Sequence, residues 1–135
     1  MHELVVDAKL DNLNQVLAFL DELLESRECP MKIQMQMDIA VEEIFVNIAN
    51  YAYTPGEGTA TVRVVFSEEP KAVEVTFIDG GVPYNPLVKP DPDVTLSADQ
   101  RQIGGLGIFM VKKSLDSMLY EYTDKKNILT LRKNL

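Results

Sequence analysis

The chain has 135 residues, 46% hydrophobic and 25% charged, which suits one globular domain with a buried core. Its formal net charge is −8 at pH 7, and an acidic surface repels nucleic-acid phosphates and anionic lipids. Nucleic acid and membrane are therefore poor candidate partners. The single cysteine, Cys29, cannot form an internal disulfide, and the N-terminus lacks the basic and apolar runs of a secretory signal. We expect a cytoplasmic protein.

Helices are predicted in the first part of the chain. Leu4 to Asp7 is typical of a short strand, and Leu and Val then recur at helical spacing from about Asp11. We expect Asp11 to be the N-cap of this first helix. Pro30 suits the first turn of a second helix, which carries a broad apolar stripe and ends before the proline and glycines of 54–58.

Strands dominate the remainder. Two hairpins are predicted, Thr59 to Phe66 with Ala72 to Ile78, and Met118 to Thr123 with Ile128 to Arg132. Between them, Gly80 to Gly107 holds four prolines and little periodicity, and long loops of this kind are usually functional lids or disordered. Ile108 to Leu115 is predicted to be helical. This order favours a single α+β two-layer sandwich over 1–135, with helices on one face of a mixed, mostly antiparallel sheet.

Two polar residues share one flank of the second helix. Glu43 and Asn47 are one helical turn apart, so their side chains lie one above the other. An amide oxygen such as that of Asn47 is a ligand type that Mg²⁺ accepts, and the Glu43 carboxylate can take a proton during phosphoryl transfer. The alternative is the solvated polar edge of an amphipathic helix.

A carboxylate followed by glycines comes at the end of the fifth predicted element, the strand Ala72 to Ile78. Asp79 can accept a hydrogen bond from an exocyclic amine such as that of adenine. Gly81 lets the backbone pass close to a flat ring. The alternative is a plain strand-ending turn, since Asp-Gly is a common turn pair.

A second glycine cluster precedes the helix predicted from Ile108. Gly104, Gly105 and Gly107 flank Leu106, and glycines before a helix N-terminus can expose several N–H groups to phosphates. The spacing departs from a dinucleotide fingerprint, and no Gly-Lys-Ser/Thr follows, so it is not a P-loop. A flexible hinge is the alternative.

In this order along the chain, these segments resemble the GHKL ATPases. This group includes the gyrase, chaperone, histidine-kinase and mismatch-repair ATPases, which share the Bergerat fold. Residues 41–53 are similar to their N-box, 79–86 to the first glycine box and 104–108 to the second. Thr130 matches a threonine that commonly helps to hold adenine. Within the group, the chain looks most like the small anti-sigma-factor serine/threonine kinases of bacteria.

The resemblance implies a site for ATP and Mg²⁺. Glu43 would be the general base toward a protein hydroxyl, and Asn47 would hold the magnesium ion. Asp79 would bind the adenine amine, and Gly81 would make room for the ring. These roles follow from the family likeness.

The same likeness implies a lid at about 82–104. Asn50 and Tyr51 would lie near the ribose and phosphates, and Lys89 or Arg101 would reach a phosphate. The lid would close over the phosphates through the residues of the second box: Gly104, Gly105, Leu106, Gly107 and Ile108.

Partners are also implied. Proteins of this kind phosphorylate a serine on an anti-sigma-factor antagonist of the STAS type, many bind a sigma factor, and they are typically homodimers. Two departures stand out. Tyr51 stands where members commonly carry a histidine, and Asp11 to Ser26 lacks any Lys or Arg, with Gln15 about where a basic partner-binding residue would fall.

Three other functions stay open. The first is a nucleotide-gated anti-sigma or scaffold protein with little catalysis. The second is the detached ATP-binding half of a histidine kinase, and the third is an α+β domain without a nucleotide site. The histidine-kinase alternative is weakened because no dimerising histidine helix is present and His2 is too near the terminus to belong to one.

Overall fold

Alternating apolar residues form five strands, and two apolar stripes form the helices that cover them. A computed structural model describes residues 1–53, 56–85 and 111–135. Its elements are β1 His2–Asp7, a 3-10 helix Leu10–Asn12, α1 Leu13–Ser26, α2 Met31–Tyr51, β2 Thr59–Glu68, β3 Lys71–Asp79, β4 Ser117–Thr123 and β5 Lys126–Asn134. Residues 111–114 are also helical. In the described ranges, no helix is both long and apolar enough to cross a membrane.

The five strands form one sheet in the order β1-β2-β3-β5-β4, and every neighbouring pair is antiparallel. The predicted α+β two-layer sandwich is confirmed, although the sheet is wholly antiparallel in the described residues where we expected a mixed one. The register sets Asp79, at the end of β3, opposite Ala60 on one side and Asn127 on the other. This places the end of β3 between two strands at the middle of the sheet.

The core lies between one face of the sheet and the helices. Side chains alternate across a strand, so Val75, Phe77 and Leu131 face the helices and are almost fully buried. Leu20 of α1 and Phe45 of α2 meet them from the other layer. Burying each large apolar side chain contributes about 1.5–3 kcal/mol, so this layer contact dominates the stability of the fold.

The start of α1 differs from the prediction. Asp11 lies inside the 3-10 helix, and the N-cap of α1 is Asn12, whose side chain makes no capping hydrogen bond. The Asn12 amide donates instead to the carbonyl of Asp7 over 2.9 Å. This contact ties the helix start to the end of β1, so the expected N-cap at Asp11 was wrong. Pro30 is the N-cap of α2, one residue ahead of its first turn.

Both predicted hairpins are present with longer strands and tighter turns. The strands β2 and β3 extend to Glu68 and from Lys71, and β4 and β5 are joined by Asp124 and Lys125 alone. Those two residues have φ of 52° and 62°, the left-handed conformation that two-residue hairpin turns require. The turn contains no glycine, so the sequence indicated where the turn lies but not that it has two residues.

Candidate functional site

A cleft with about 480 Å³ of empty space, part of it open to solvent, lies between the C-terminal half of α2 and the strands β3, β4 and β5. Most of its lining is apolar, supplied by Ile44, Ile48, Ala52, Phe77, Val82 and Leu129. The other six lining residues carry polar groups but contribute little polar surface to the cleft: Asn47, Tyr51, Asp79, Tyr84, Tyr120 and Asn127. An apolar cavity with a few convergent polar groups is the usual form of a small-molecule site.

Helix α2 supplies one wall of the cleft. Ile44, Asn47, Ile48 and Tyr51 recur at spacings of three and four residues, so they share one helical face. Asn47 is half-buried there, and Tyr51 is 53% exposed at the rim. The helix predicted to carry Asn47 therefore directs it into the cleft.

Glu43 and Asn50 lie on α2 outside the set of lining residues. Glu43 is half-buried one helical turn before Asn47, so the two side chains share a flank as expected from their spacing. Asn50 is exposed on the last turn. Of the polar α2 residues expected at the site, Asn47 and Tyr51 thus line the cleft, and Glu43 lies next to it along the helix.

Asp79 is the buried acid of the cleft, with 6% of its surface exposed. Its Oδ1 atom accepts the backbone N–H of Gly81 over 2.9 Å and the side-chain amide of Asn127 over 3.0 Å. The described residues provide no hydrogen bond to Oδ2. Within the described ranges, one carboxylate oxygen is thus held by the protein, and the other meets no donor and can accept a hydrogen bond.

Gly81 allows the exit from β3 to lie directly against the end of α2. A Cβ at this position would stand 2.6 Å from the carbonyl carbon and from the Cβ of Ala52, well inside contact distance. The neighbouring Val82 N–H donates to the Ala52 carbonyl over 2.9 Å. Glycine is therefore required by protein packing, while the room that we expected it to give a flat ring stays a prediction.

Tyr53 is a site-supporting residue to which the sequence analysis gave no role. Its hydroxyl donates to the Thr59 carbonyl and accepts the Gly80 N–H, each over 2.7 Å. One side chain thus joins the residue after α2 to the start of β2 and the end of β3. The sequence feature that could have pointed to Tyr53 is its position at the aromatic end of segment 41–53.

Asn127 is a second residue of the site that received no role from the sequence. It is 6% exposed, and its amide nitrogen donates to Asp79 Oδ1 and to the Val82 carbonyl, the latter over 2.8 Å. Its amide oxygen accepts the Tyr84 N–H over 3.1 Å and the Tyr120 hydroxyl. An asparagine next to a hairpin turn has the pattern of a turn residue, so only the sheet register reveals it.

Thr130 does not join these residues. It lies between Leu129 and Leu131, which face the core, so its side chain lies on the opposite face of the sheet. Its hydroxyl is 3.1 Å from that of Thr76 on β3. The adenine contact expected of Thr130 is not supported by this placement, and the cleft side of β5 carries Asn127 and Leu129 instead.

Tyr120 completes the polar floor of the cleft. Burial raises the pKa of its hydroxyl, and the charges of Asp79 and Tyr122 raise it further, while the backbone N–H of Tyr84 acts in the opposite direction. The hydroxyl therefore keeps its proton at neutral pH and acts as a donor to Asn127.

The second glycine box, Gly104 to Ile108, lies outside the described residues. The same holds for Lys89 and Arg101 and for most of the expected lid at 82–104. Of that segment the structure describes only residues 82–85, which begin at the cleft.

Fold and cleft define an ATPase domain, and the comparison with known proteins agrees. The chain belongs to the histidine kinase-like ATPase domain family, whose model matches residues 6–133. It is similar to the serine/threonine-protein kinase BtrW of Bordetella bronchiseptica, with 26% identity over 100 residues, which cover 74% of this chain and 70% of that protein. The resemblance to the GHKL ATPases and to their kinase members is confirmed, and family membership supports ATP as the ligand.

Proposed function

We propose that the cleft binds ATP with Mg²⁺ and that the chain is a protein kinase, which phosphorylates a serine of an anti-sigma-factor antagonist. The observation that carries the proposal is the single available oxygen of Asp79 at the floor of an apolar cleft beside Asn47. Family membership supports the ATP part, and the similarity to a serine/threonine-protein kinase supports the kinase part.

The base-binding end of the proposed site is the better supported half. The apolar lining provides flat surface for a purine ring, and Asp79 Oδ2 accepts the exocyclic amine. Tyr51, exposed at the rim, lies near the ribose in this proposal, and Asn50 lies on the last turn of α2 nearby. Tyr51 cannot become cationic as a histidine can, so phosphate neutralisation falls to other groups.

Chemistry in the proposal takes place on the α2 side of the cleft. The antagonist's serine oxygen attacks the γ-phosphorus, its proton passes to the Glu43 carboxylate, and ADP leaves with the electrons of the broken bond. Asn47 offers one hard amide oxygen, which fits Mg²⁺ because that ion keeps several waters and also binds nucleotide phosphates. The ion would supply neutralisation of phosphate charge.

The remaining parts rest on the family likeness. They are closure of a lid at 82–104 through Gly104, Gly105 and Gly107, homodimer formation, and a cytoplasmic location with an antagonist of the STAS type as substrate. Binding of a sigma factor is the least supported, because α1 carries no Lys or Arg.

Phosphate transfer tests the assignment of Glu43. Wild type, Glu43→Gln and the matched control Glu42→Gln, whose parent residue is exposed on the same helix, are mixed with Mg-ATP and STAS-type antagonist proteins. Mass spectrometry of the antagonist should show one added phosphate with wild type and Glu42→Gln, and at least a 100-fold lower rate with Glu43→Gln.

Thermal shift separates the alternatives. A raised melting temperature of wild type in millimolar Mg-ATP without any phosphoprotein would favour a nucleotide-gated scaffold. A melting temperature that does not respond to Mg-ATP would contradict the nucleotide site itself. Equal transfer rates in wild type and Glu43→Gln would contradict the role of Glu43 alone.

A further inference from the structure

The amide of Asn127 has no hydrogen-bonding capacity left for a ligand. An asparagine side chain offers two N–H donors and an oxygen with two acceptor sites, and all four are used here. Because the residue is also only 6% exposed, it acts on a bound molecule through its neighbours and not by a hydrogen bond of its own. Asn127 is therefore a positioning residue.

The orientation of this amide is fixed by its partners. The oxygen faces two donors, the Tyr84 N–H and the Tyr120 hydroxyl, and the nitrogen faces two acceptors, Asp79 Oδ1 and the Val82 carbonyl. Turning the amide over would set donors against donors and acceptors against a carboxylate, which would cost several hydrogen bonds in a buried place. Only one amide orientation is compatible with these neighbours.

The fixed amide determines which part of Asp79 a ligand meets. With Oδ1 occupied by Asn127 and by the Gly81 N–H, the carboxylate plane is set and Oδ2 is left as an acceptor. A 6-aminopurine brings a donor to that acceptor. A 6-oxopurine brings a second acceptor, and sites built to hydrogen-bond one group reject a ligand that lacks it.

The same amide also anchors the beginning of the segment that leaves the cleft. Through its hydrogen bonds to the Val82 carbonyl and the Tyr84 N–H, Asn127 holds residues 82–84 against the start of β5. The orientation of Asp79 toward a base and the position of this segment thus both depend on the side chain of Asn127.

We infer that Asn127 sets the selectivity of the cleft for 6-aminopurine over 6-oxopurine nucleotides, by fixing Asp79 Oδ1 and leaving Oδ2 for the base. The inference rests on the proposed nucleotide site and adds to it a residue that makes no hydrogen bond to the ligand.

The isosteric variant Asn127→Asp tests this through pH. It sets a second carboxyl against Asp79, and the other titratable residues described next to position 127 are Tyr120, Tyr84 of the cleft lining and Tyr122, the partner of Asn127 across the β4–β5 pair. Two adjacent carboxyls share a proton at low pH, which restores a donor to Asp79, and repel each other once both are charged. ADP affinity of the variant relative to wild type should fall at least 10-fold between pH 6 and pH 8.5, by calorimetry.

The matched control is Asn134→Asp, the same change at an exposed position on the same strand, and its affinity relative to wild type should stay flat across that range. An affinity ratio for Asn127→Asp that does not change with pH would overturn the inference, because a purely structural defect is not relieved by one proton. Wild type that fails to bind ADP would overturn the proposed nucleotide site as well, so the two failures are distinguishable.

A second pair of variants decides the matter if Asn127→Asp does not fold. Asn127→Thr and Asn127→Val have nearly the same shape, but only threonine keeps a donor for Asp79. The preference for ADP over inosine diphosphate should be at least 5-fold greater in the threonine variant than in the valine variant. Equal preferences in the two variants would overturn the inference.

Discussion

Two clusters of polar side chains in this molecule contrast in how their hydrogen bonds are arranged. At the floor of the cleft, Asp79 Oδ1, Asn127 and Tyr120 are hydrogen-bonded to one another and to the backbone around them. Between α1 and α2, Asp21 and Asp38 each bury an Oδ1 atom to which no N–H or hydroxyl group of the described residues donates. The first cluster fixes the orientation of its side chains, whereas the second lowers the stability of the fold because buried carboxylate oxygens lack donors in the described part of the chain.

The difference shows in the protonation of the acids. The pKa of Asp38 is raised to about 7, first by burial, then by the hydrogen bond and charge of Asp21, with smaller effects from Glu25 and Glu42. No basic side chain is among the causes of that shift. Buried polar networks stabilise a fold when every member is satisfied, so the cleft floor should resist perturbation, and the helix pair should respond to pH.

The largest expected effect concerns the backbone beneath the cleft. Gly81→Ala should lower the free energy of unfolding by about 2–4 kcal/mol, because its Cβ would overlap Ala52 and force the end of α2 away from β3. Urea denaturation measures this directly.

Gly80 provides the matched control one residue earlier. A Cβ there would meet only the Tyr53 hydroxyl at 3.6 Å, an ordinary contact. Gly80→Ala should therefore stay within about 1 kcal/mol of wild type. Equal losses in the two variants would show that flexibility, and not close approach to Ala52, is what the glycines provide.

A smaller effect is expected from the Tyr53 hydroxyl. Tyr53→Phe removes one donor and one acceptor, leaving the Thr59 carbonyl and the Gly80 N–H to solvent. Both contacts are at an exposed position, so a loss of about 1 kcal/mol in unfolding free energy is expected. Amide exchange at Gly80 should accelerate in this variant, and an unchanged rate would show that the hydroxyl does not protect that N–H.

Much of the architecture follows from periodicity in the sequence. The strands were predicted to within two residues of their ends, because apolar residues alternate along them, and α2 was predicted from its apolar stripe. The sequence also indicates the places of Asp79 and Asn47, which both line the cleft, since each position is determined by one element. The shared flank of Glu43 and Asn47 on α2 follows from helical spacing alone.

Residues that depend on contacts between elements could not be found in this way. Asn127 reaches Asp79 only because β5 pairs with β3 in one register, and Thr130 points away because a strand reverses its side chains at each step. Gly81 has the pattern of a turn or ligand-binding glycine, but its Cβ space is taken by the end of a distant helix. Tyr53 likewise bridges two strands that its own segment does not reveal.

The smallest effect sharpens the contrast between the two clusters, and it has the opposite sign. A folded-state pKa of about 7, above the unfolded value of 3.8, means that the protonated Asp38 favours the fold. That stabilisation is present below pH 4 and is lost as the pH rises through 7, where the charged carboxyl stands close to Asp21, Glu25 and Glu42.

Asn is always neutral, so Asp38→Asn should be more stable than wild type at pH 8 and close to it at pH 4. The gain should be on the order of 1 kcal/mol, less than the full pKa difference would give, because the side chain is only partly buried and solvent screens its charge. Urea denaturation at both pH values checks this, with the exposed Asp11→Asn as the control that should show no such pH dependence. A variant less stable than wild type at pH 8 would mean that a partner stabilises the charged Asp38. Both clusters would then consist of hydrogen-bonded carboxylates, and the contrast between them would not hold.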